Sequence, residues 1–485
     1  MKTREIFTFL FTLFTFVLFT FNSSSQPPDI LWYKQYGNTM DDIAFDAIEA
    51  DDGEYIVIGK TEITDNNWDA WVAKLDNNGD IIWENTIGGA EDEQVVSIWP
   101  GLYSGYVLTG YTSTGSNGLS DIWILYIDDN GDSIASAKYG SWSSDQGFCI
   151  RPNVDQGFIV SSRSTIFQWG DQIHLMKLDA SLDTMWTKLY GGPKQDYGHM
   201  VEETSDYGYI IAGRTYTTVY PESGDAWAIK TDNNGDTVWT KKYGGDDEDI
   251  FYAVVETEDG YIFAGQTWSF GAGLIDVYVV RTDDDGNVIW SETYGGTGAD
   301  YAYRIFETED GNYMISGYSD SFSGSQDVYM VKIDGNGNLL WEEFYGNSYD
   351  GEYMYGGSPT SDGGYILAGK LDLYTQVMHD LFVLKVGPEI TGIDRALDIG
   401  NGHFYCYPNP TETATSFHFD LQGNGFIEIV IYDAFGREVE TLRTSHNNPS
   451  INEISWDTSS LPVGVYYCYL RSEEKTAVCK TIVSR

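Results

Sequence analysis

The sequence predicts an all-β protein: a seven-bladed β-propeller closed by its own N-terminal strand, followed by a small Ig-like β-sandwich. Three observations carry this expectation. A Trp preceding a "YGG"-like phrase recurs at Trp32, Trp83, Trp186, Trp239, Trp290 and Trp341, and Ala135 fills the missing slot. Successive spacings are 51, 52, 51, 53, 51 and 51 residues, and a fixed period of this size marks a repeat architecture. Each unit then holds four short β-rich runs, in 290–341 "YAYRIFET", "YMISGY", "DVYMVKI" and "NLLWEEFY", separated by Asp-Gly and Asn-Gly turns. Four antiparallel strands per unit of this length is a propeller blade.

The chain opens with Lys2 and Arg4, then a 16-residue apolar run, "IFTFLFTLFTFVLFTF", then "NSSSQPP". That order describes a secretory signal peptide, 1–25, cleaved after Ser25. A retained anchor is the alternative, but the run is short for a span of about 20 residues. No later run is long enough to cross a membrane, so the mature chain is expected to lack a transmembrane span. The orphan phrase "ILWYKQYG" at 30–37 follows with no complete unit ahead of it. If the four runs are called A to D, six units are complete and the seventh stops after C, at "DLFVLKVG" (380–387). The orphan is the missing D strand, and pairing it with the last blade removes an exposed sheet edge. The propeller therefore spans 29–387.

The repeat phrase is similar to bacterial β-propeller repeat families of exported proteins, a resemblance specific for architecture and nearly silent about activity. A linker covers 388–403. Residues 404–485 change character, with "YCYPNP", "FIEIVIYDAFGREVETL", "LPVGVYYCYL" and "AVCKTIVSR" reading as alternating strands and polar turns. Pro408, Asn409 and Pro410, then Asp433, Gly436 and Arg437, then Gly464, Tyr466 and Lys480 follow in order. The set resembles the C-terminal sorting domain of type IX secretion substrates of Bacteroidetes. That resemblance implies the secretion machinery as a partner, passage across the outer membrane, and a secreted or surface-displayed product.

There are 74 acidic and 27 basic side chains, a formal net charge of -47. Phosphate backbones are bound by Lys and Arg, so nucleic acid is not an expected partner. The four Cys, at 149, 406, 468 and 479, set no disulfide framework.

Six residues after each "YGG" Tyr slot stands an acid, at Asp42, Glu93, Asp145, Asp196, Asp249 and Asp300, with Asp350 one position early in the seventh unit. Such a ring could hold calcium, which takes several oxygen ligands. However, a second set lies 17 or 18 residues on, at Lys60, Tyr111, Arg163, Arg214, Gln266, Tyr318 and Lys370. Each pair is symmetric about its A–B turn, so Asp42 with Lys60, Asp145 with Arg163 and Asp196 with Arg214 are expected as cross-strand pairs. The "LDNNGD" and "TDNNGD" loops also suggest calcium, but Gly stands fourth after the leading Asp rather than sixth, which favours hairpin turns. No metal site or other cofactor is assigned.

H-E-x-x-H, G-x-S-x-G and phosphate-binding loops are absent, and the six His show no ligand spacing. No catalytic residue is assigned. A glycoside-processing enzyme, sialidase- or glycosidase-like, is the alternative function, since paired carboxylates would suffice for it. The uniform unit length favours a binding or scaffold module. Variation concentrates in the B–C loops, where binding on a rigid scaffold usually resides. Trp169, Tyr220 and Trp268, from three consecutive units, are the expected platform for a polysaccharide or surface protein, against the alternative that they pack between blades.

Overall fold

The computed structural model describes residues 27–64, 67–166, 170–216, 223–322, 324–346, 350–373, 378–389, 404–407, 411, 413–419, 425–433, 437–446, 453–462, 464–471 and 476–483. The leader, most of the linker, Trp169, Tyr220, Pro408, Asn409, Pro410 and Gly436 lie outside them. The chain divides into two compact units, Pro27–Glu389 and a second containing Ile390–Arg485.

Each repeat folds into its own sheet. In the sixth, Asp300–Glu307, Tyr313–Ser319, Asp327–Ile333 and Leu339–Tyr345 pair antiparallel in chain order, and the first five sheets follow the same order. The seventh is assembled from both ends: Gly351–Pro359, Tyr365–Asp372 and His379–Val386, with Ile30–Tyr36 as its fourth strand. Tyr33 lies opposite Leu384 and stacks on Phe382 at 5.7 Å. The first strands touch in succession, and that of the seventh sheet touches that of the first. Seven blades fit these seven sheets.

Composition follows position. Second strands are covered on both faces by neighbouring sheets, so Gly260–Thr267 is buried throughout. Fourth strands are outermost and alternate, as in Thr184–Tyr190. The Asp-rich loops are hairpin turns: Asp334 Oδ1 accepts from the amides of Asn336 (2.8 Å) and Asn338 (2.9 Å), and Gly337 supplies φ 82°. Asp76, Asp128, Asp179 and Asp232 accept the equivalent bonds. In these turns the leading carboxylate is occupied by backbone.

The repeated Trp joins one sheet to the next. Trp239 donates its indole N–H to Asp284 O at 2.8 Å, and its ring covers Gly286, where a Cβ would meet it at 3.0 Å. Trp32, Trp83 and Trp290 donate to the following turn in the same way. Four residues on, Tyr190, Tyr243 and Tyr294 donate to the carbonyls of Gly235, Gly286 and Gly337. At the sixth-to-seventh junction no such turn exists, because the seventh sheet borrows its fourth strand. Tyr345 donates there to Pro28 O at 2.8 Å. The Trp341 indole N–H is buried with no hydrogen-bond partner among the described residues.

A second repeated device escapes notice in the sequence. The third strand carries a cation 22 to 24 residues after an acid in the A–B turn, buried at every Lys and partly buried at Arg281: Lys74 with Asp52, Lys177 with Asp155, Lys230 with Asp206, Arg281 with Asp259, Lys332 with Asp310 and Lys385 with Asp362. In the second sheet Tyr126 replaces it and donates to Ser104 O. The signal is present as "K.D" in the third run, but only the fold brings it back to the turn.

In the C-terminal unit, Phe404–Tyr407, Ala414–Phe419 and Glu453–Asp457 form one sheet. Glu438–His446, Gly425–Asp433, Gly464–Arg471 and Thr476–Val483 form another, in that spatial order. Phe417 and Trp456 from the first share a core with Ile429, Ile431, Tyr466, Cys468 and Leu470 from the second.

Two outcomes are expected. Deleting residues 26–38 exposes His379–Val386 as a sheet edge, and the truncated protein should melt lower or aggregate; unchanged stability in a thermal scan would refute the shared seventh sheet. Against the upward push of burial, hydrogen bonds from Thr204, Lys230 and Gly208 hold the Asp206 carboxyl at about 2, below the ordinary 3.8. The stabilisation is therefore present above the unfolded value and lost as pH falls through about 2. Asp206→Ala should cost roughly 1–3 kcal/mol at pH 7 by leaving the buried ammonium unpaired, and progressively less in urea titrations below pH 3.

Candidate binding site at the inner strands

The six aligned acids are buried and face away from solvent. Each accepts the amide N–H four residues upstream: Asp42 from Asn38, Glu93 from Gly89, Asp145 from Ser141, Asp196 from Gly192, Asp249 from Gly245 and Asp300 from Gly296, at 2.6–2.9 Å. They cap the loop entering each inner strand. Thr112 donates its hydroxyl to Glu93 at 2.7 Å, and Ser319 donates to Asp300. Burial raises the carboxyls of Asp42, Asp196, Asp249 and Asp300 above the usual range.

The expected acid–base pairs do not form. Asp42 lies opposite Thr61, Asp145 opposite Ser164 and Asp196 opposite Thr215, while Lys60, Arg163 and Arg214 lie opposite Ile43, Gln146 and Tyr197. One residue of register puts each acid and its expected base on opposite faces of the sheet. The turn explains this: in the sixth sheet Thr308 N bonds Asn312 O, centring the turn on Asp310 rather than Glu309. A bulge between Ala302 and Arg304 then takes back one of the two residues gained. In the seventh sheet the register also identifies the acid as Glu352, opposite Leu371 and buried, rather than Asp350.

The bulge recurs in all seven inner strands and leaves Phe45, Val96, Phe148, His199, Tyr252, Tyr303 and Tyr355 unpaired. All but Val96 form a chain of ring contacts: Phe148–His199 at 5.8 Å, His199–Tyr252 at 4.6 Å, Tyr252–Tyr303 at 4.7 Å, Tyr303–Tyr355 at 5.7 Å and Tyr355–Phe45 at 6.0 Å. Burial, with the nearby Arg214 charge, lowers His199 to about 3, so its imidazole is neutral. These rings constrict the space between the inner strands.

Beside this constriction stand the cations. Arg163 and Arg214, from neighbouring sheets, lie 5.7 and 4.6 Å from the ring centre of Tyr197. Arg163 pairs with Asp171 at 3.4 Å and Arg214 with Glu248 at 2.6 Å, while Tyr197 and Tyr216 donate to the same two carboxylates. Lys370 lies 4.3 Å over Tyr353 and pairs with Asp372 at 3.0 Å. Tyr318 lies against Tyr301 (4.5 Å) and Tyr353 (5.0 Å). Lys60 sits 4.0 Å over Trp68.

Of the three loop aromatics expected to share a groove, only Trp268 is described. It is 36% exposed and its amide donates to Glu248 O. Phe270, 47% exposed, packs on Tyr278 beside a cavity of about 540 Å³ between the fourth and fifth sheets.

Comparison with known proteins places the C-terminal unit first. Residues 405–484 match the model of the "Secretion system C-terminal sorting domain". The tail is a type IX sorting domain. Within it Tyr466 is buried and donates to Pro462 O at 2.8 Å, Arg437 is exposed, and Gly464 opens a strand. Asp433 and Lys480 lie on strands Gly425–Asp433 and Thr476–Val483. The sorting domain implies a Bacteroidetes source and export by type IX secretion, to a secreted or surface-attached location. Among the described residues no helix is long and apolar enough to cross a membrane.

Over 232 residues the chain is 29% identical to an uncharacterised protein of Aquifex aeolicus, covering 47% of this chain and 60% of that protein's length. Three solved structures are similar at low identity. Drosophila Semaphorin 2a has 8% identity and a TM-score of 0.46, covering 95% of this chain and 98% of its own. The polysaccharide lyase Uly1 has 12% and 0.46, covering 73% and 91%. Sqt1 from Chaetomium thermophilum has 11% and 0.44, covering 75% and 99%.

Removing one capping acid tests its role. Asp249→Ala leaves the Gly245 amide and the Ser269 hydroxyl, both bonded to it at 2.8 Å, without their acceptor. A loss of roughly 1–3 kcal/mol in urea unfolding is expected, and an unchanged midpoint would assign the acid a role other than capping.

Proposed function

We propose that the protein is an exported seven-bladed β-propeller, closed by its N-terminal strand, with an Ig-like sorting tail, and that it acts as a secreted or surface-displayed binding module for a polysaccharide or surface protein. The observation that carries this is the cluster of tyrosines and cations at the inner strands, on an exported chain. Tyr197, Tyr216, Tyr301, Tyr318 and Tyr353 offer ring faces beside polar groups, the combination that stacks on sugars and on partner side chains. The B–C loops adjoin it, since Trp268 N bonds Glu248 O in the preceding D–A loop, and Trp169, Tyr220 and Trp268 remain the proposed platform there.

The glycoside-processing alternative draws no support from the aligned acids. Their carboxylates are bound to backbone amides of their own loops, which suits a structural role. Calcium, if it binds, is not required by this reading.

Two measurements test the proposal. Removing residues 404–485 should strand the protein in the periplasm; arrival of the truncated protein at the cell surface would refute the export route. A glycan and surface-extract binding screen of the full mature chain should give a ligand whose affinity falls when Trp169, Tyr220 and Trp268 are all replaced by Ala, with a melting temperature within a few degrees of the parent. Collapse of stability instead would make the three aromatics core residues.

A further inference from the structure

We propose that the inner-strand cluster is a subsite for a carboxylate-bearing sugar, a uronic acid residue at or near a chain end. This rests on the binding-module reading above and narrows its ligand class.

The starting point is the register. Lys60, Tyr111, Arg163, Arg214, Gln266, Tyr318 and Lys370 occupy equivalent positions in the seven second strands. All seven side chains are hydrogen-bond donors, four are cations and none is an acid, in a chain with 74 acidic and 27 basic residues. Were they partners of the aligned acids, the bias would be explained. They lie on the opposite face, so it is not.

The carboxylates they do meet, Asp171, Glu248 and Asp372, belong to other positions of the fold. Those contacts leave donors over. Arg163 and Arg214 each use one terminal nitrogen on a carboxylate, Arg163 reaches Ser144 Oγ with the other at 3.4 Å, and neither buried Nε has a partner among the described residues. Lys60 has no ion pair among the described residues. A guanidinium presents five N–H groups in a fork that matches a carboxylate. Two such forks flank one Tyr ring, with further Tyr faces on the sixth and seventh sheets. Ring faces suit the C–H surface of a pyranose and the forks suit its carboxylate. The constriction at His199, Tyr252, Tyr303 and Tyr355 narrows the floor, so a chain end or short segment fits better than a threaded polymer. The overall charge of -47 repels anions at long range, which makes a local set of donors the requirement for binding one.

The test is calorimetric titration of the full mature chain with oligogalacturonate, a neutral cello-oligosaccharide of equal length, and a sulfated oligosaccharide. Oligogalacturonate should bind, more weakly as salt rises, and Arg163→Gln/Arg214→Gln should weaken it roughly tenfold or more while the variant, measured well below its melting temperature, stays folded despite losing the pairs with Asp171 and Glu248. Should that variant fail to fold, Arg163→Lys/Arg214→Lys keeps the charge, loses the fork, and should still bind several-fold more weakly. Equal or tighter binding of the neutral or the sulfated sugar overturns the inference, as does uronate binding that ignores both substitutions. Capture of a different ligand through the B–C loops, with no uronate affinity, overturns it while leaving the binding-module reading intact; a chain that binds nothing at the surface overturns both.

Discussion

The contact on which the rest depends is the hand-over from one sheet to the next. A four-stranded sheet covered on both faces cannot stand alone, because its second and third strands are apolar on both sides. The fourth-strand Trp and Tyr solve this by donating to the carbonyls of the next C–D turn. That turn carries a residue at positive φ, a Gly wherever an indole lies against it, and Leu182 (φ 66°) in the third sheet, where Ala135 brings no indole. The repeat length is the result: one sheet, one turn, one indole. The same requirement makes the seventh sheet a special case. Its outer strand arrives from the N-terminus, so Pro28 rather than a turn glycine receives Tyr345, and the Trp341 N–H has no partner among the described residues.

Charge is handled in two separate layers. The aligned acids serve backbone amides and hydroxyls, and burial raises four of their carboxyls. Their folded values lie above the unfolded ones, so their contribution is largest at low pH and is lost as pH rises through those values. Of the A–B turn acids, Asp52, Asp206, Asp259, Asp310 and Asp362 behave oppositely, because hydrogen bonds that include one from the third-strand cation lower their carboxyls: their stabilisation is present at neutral pH and lost in acid.

Between these layers the inner strands carry a bulge in every repeat. It projects one residue per sheet out of the ladder, and six of the seven are aromatic or His. Ring contacts then run from the third sheet round to the first. Neutral His199, held at about 3, fits this apolar setting as a ring rather than as an acid or base. The cations beside it gain their surroundings from this geometry, with Tyr197 between two guanidiniums from different sheets.

The repeat period, the strand count, the Asp-Gly and Asn-Gly turns and the split final sheet were all legible in the residues, because each is a local or periodic property of the chain. The ordered motifs of the sorting tail were legible too, as a spaced set. Register was not. Counting symmetrically about Glu309 pairs Asp300 with Tyr318, and the same offset pairs Asp196 with Arg214, whereas the turn is centred one residue on, at Asp310, and the bulge then takes one residue back. Neither is written in the spacing, since hydrogen bonds between strands decide both. A one-residue difference in pairing changes the face of every side chain, so it decided whether the seven donors belonged to the acids or to the space between the inner strands. Likewise the buried Lys of "K.D" reads as a solvated charge along the chain. Only folding the third strand back over the A–B turn gives it a carboxylate and makes its burial affordable.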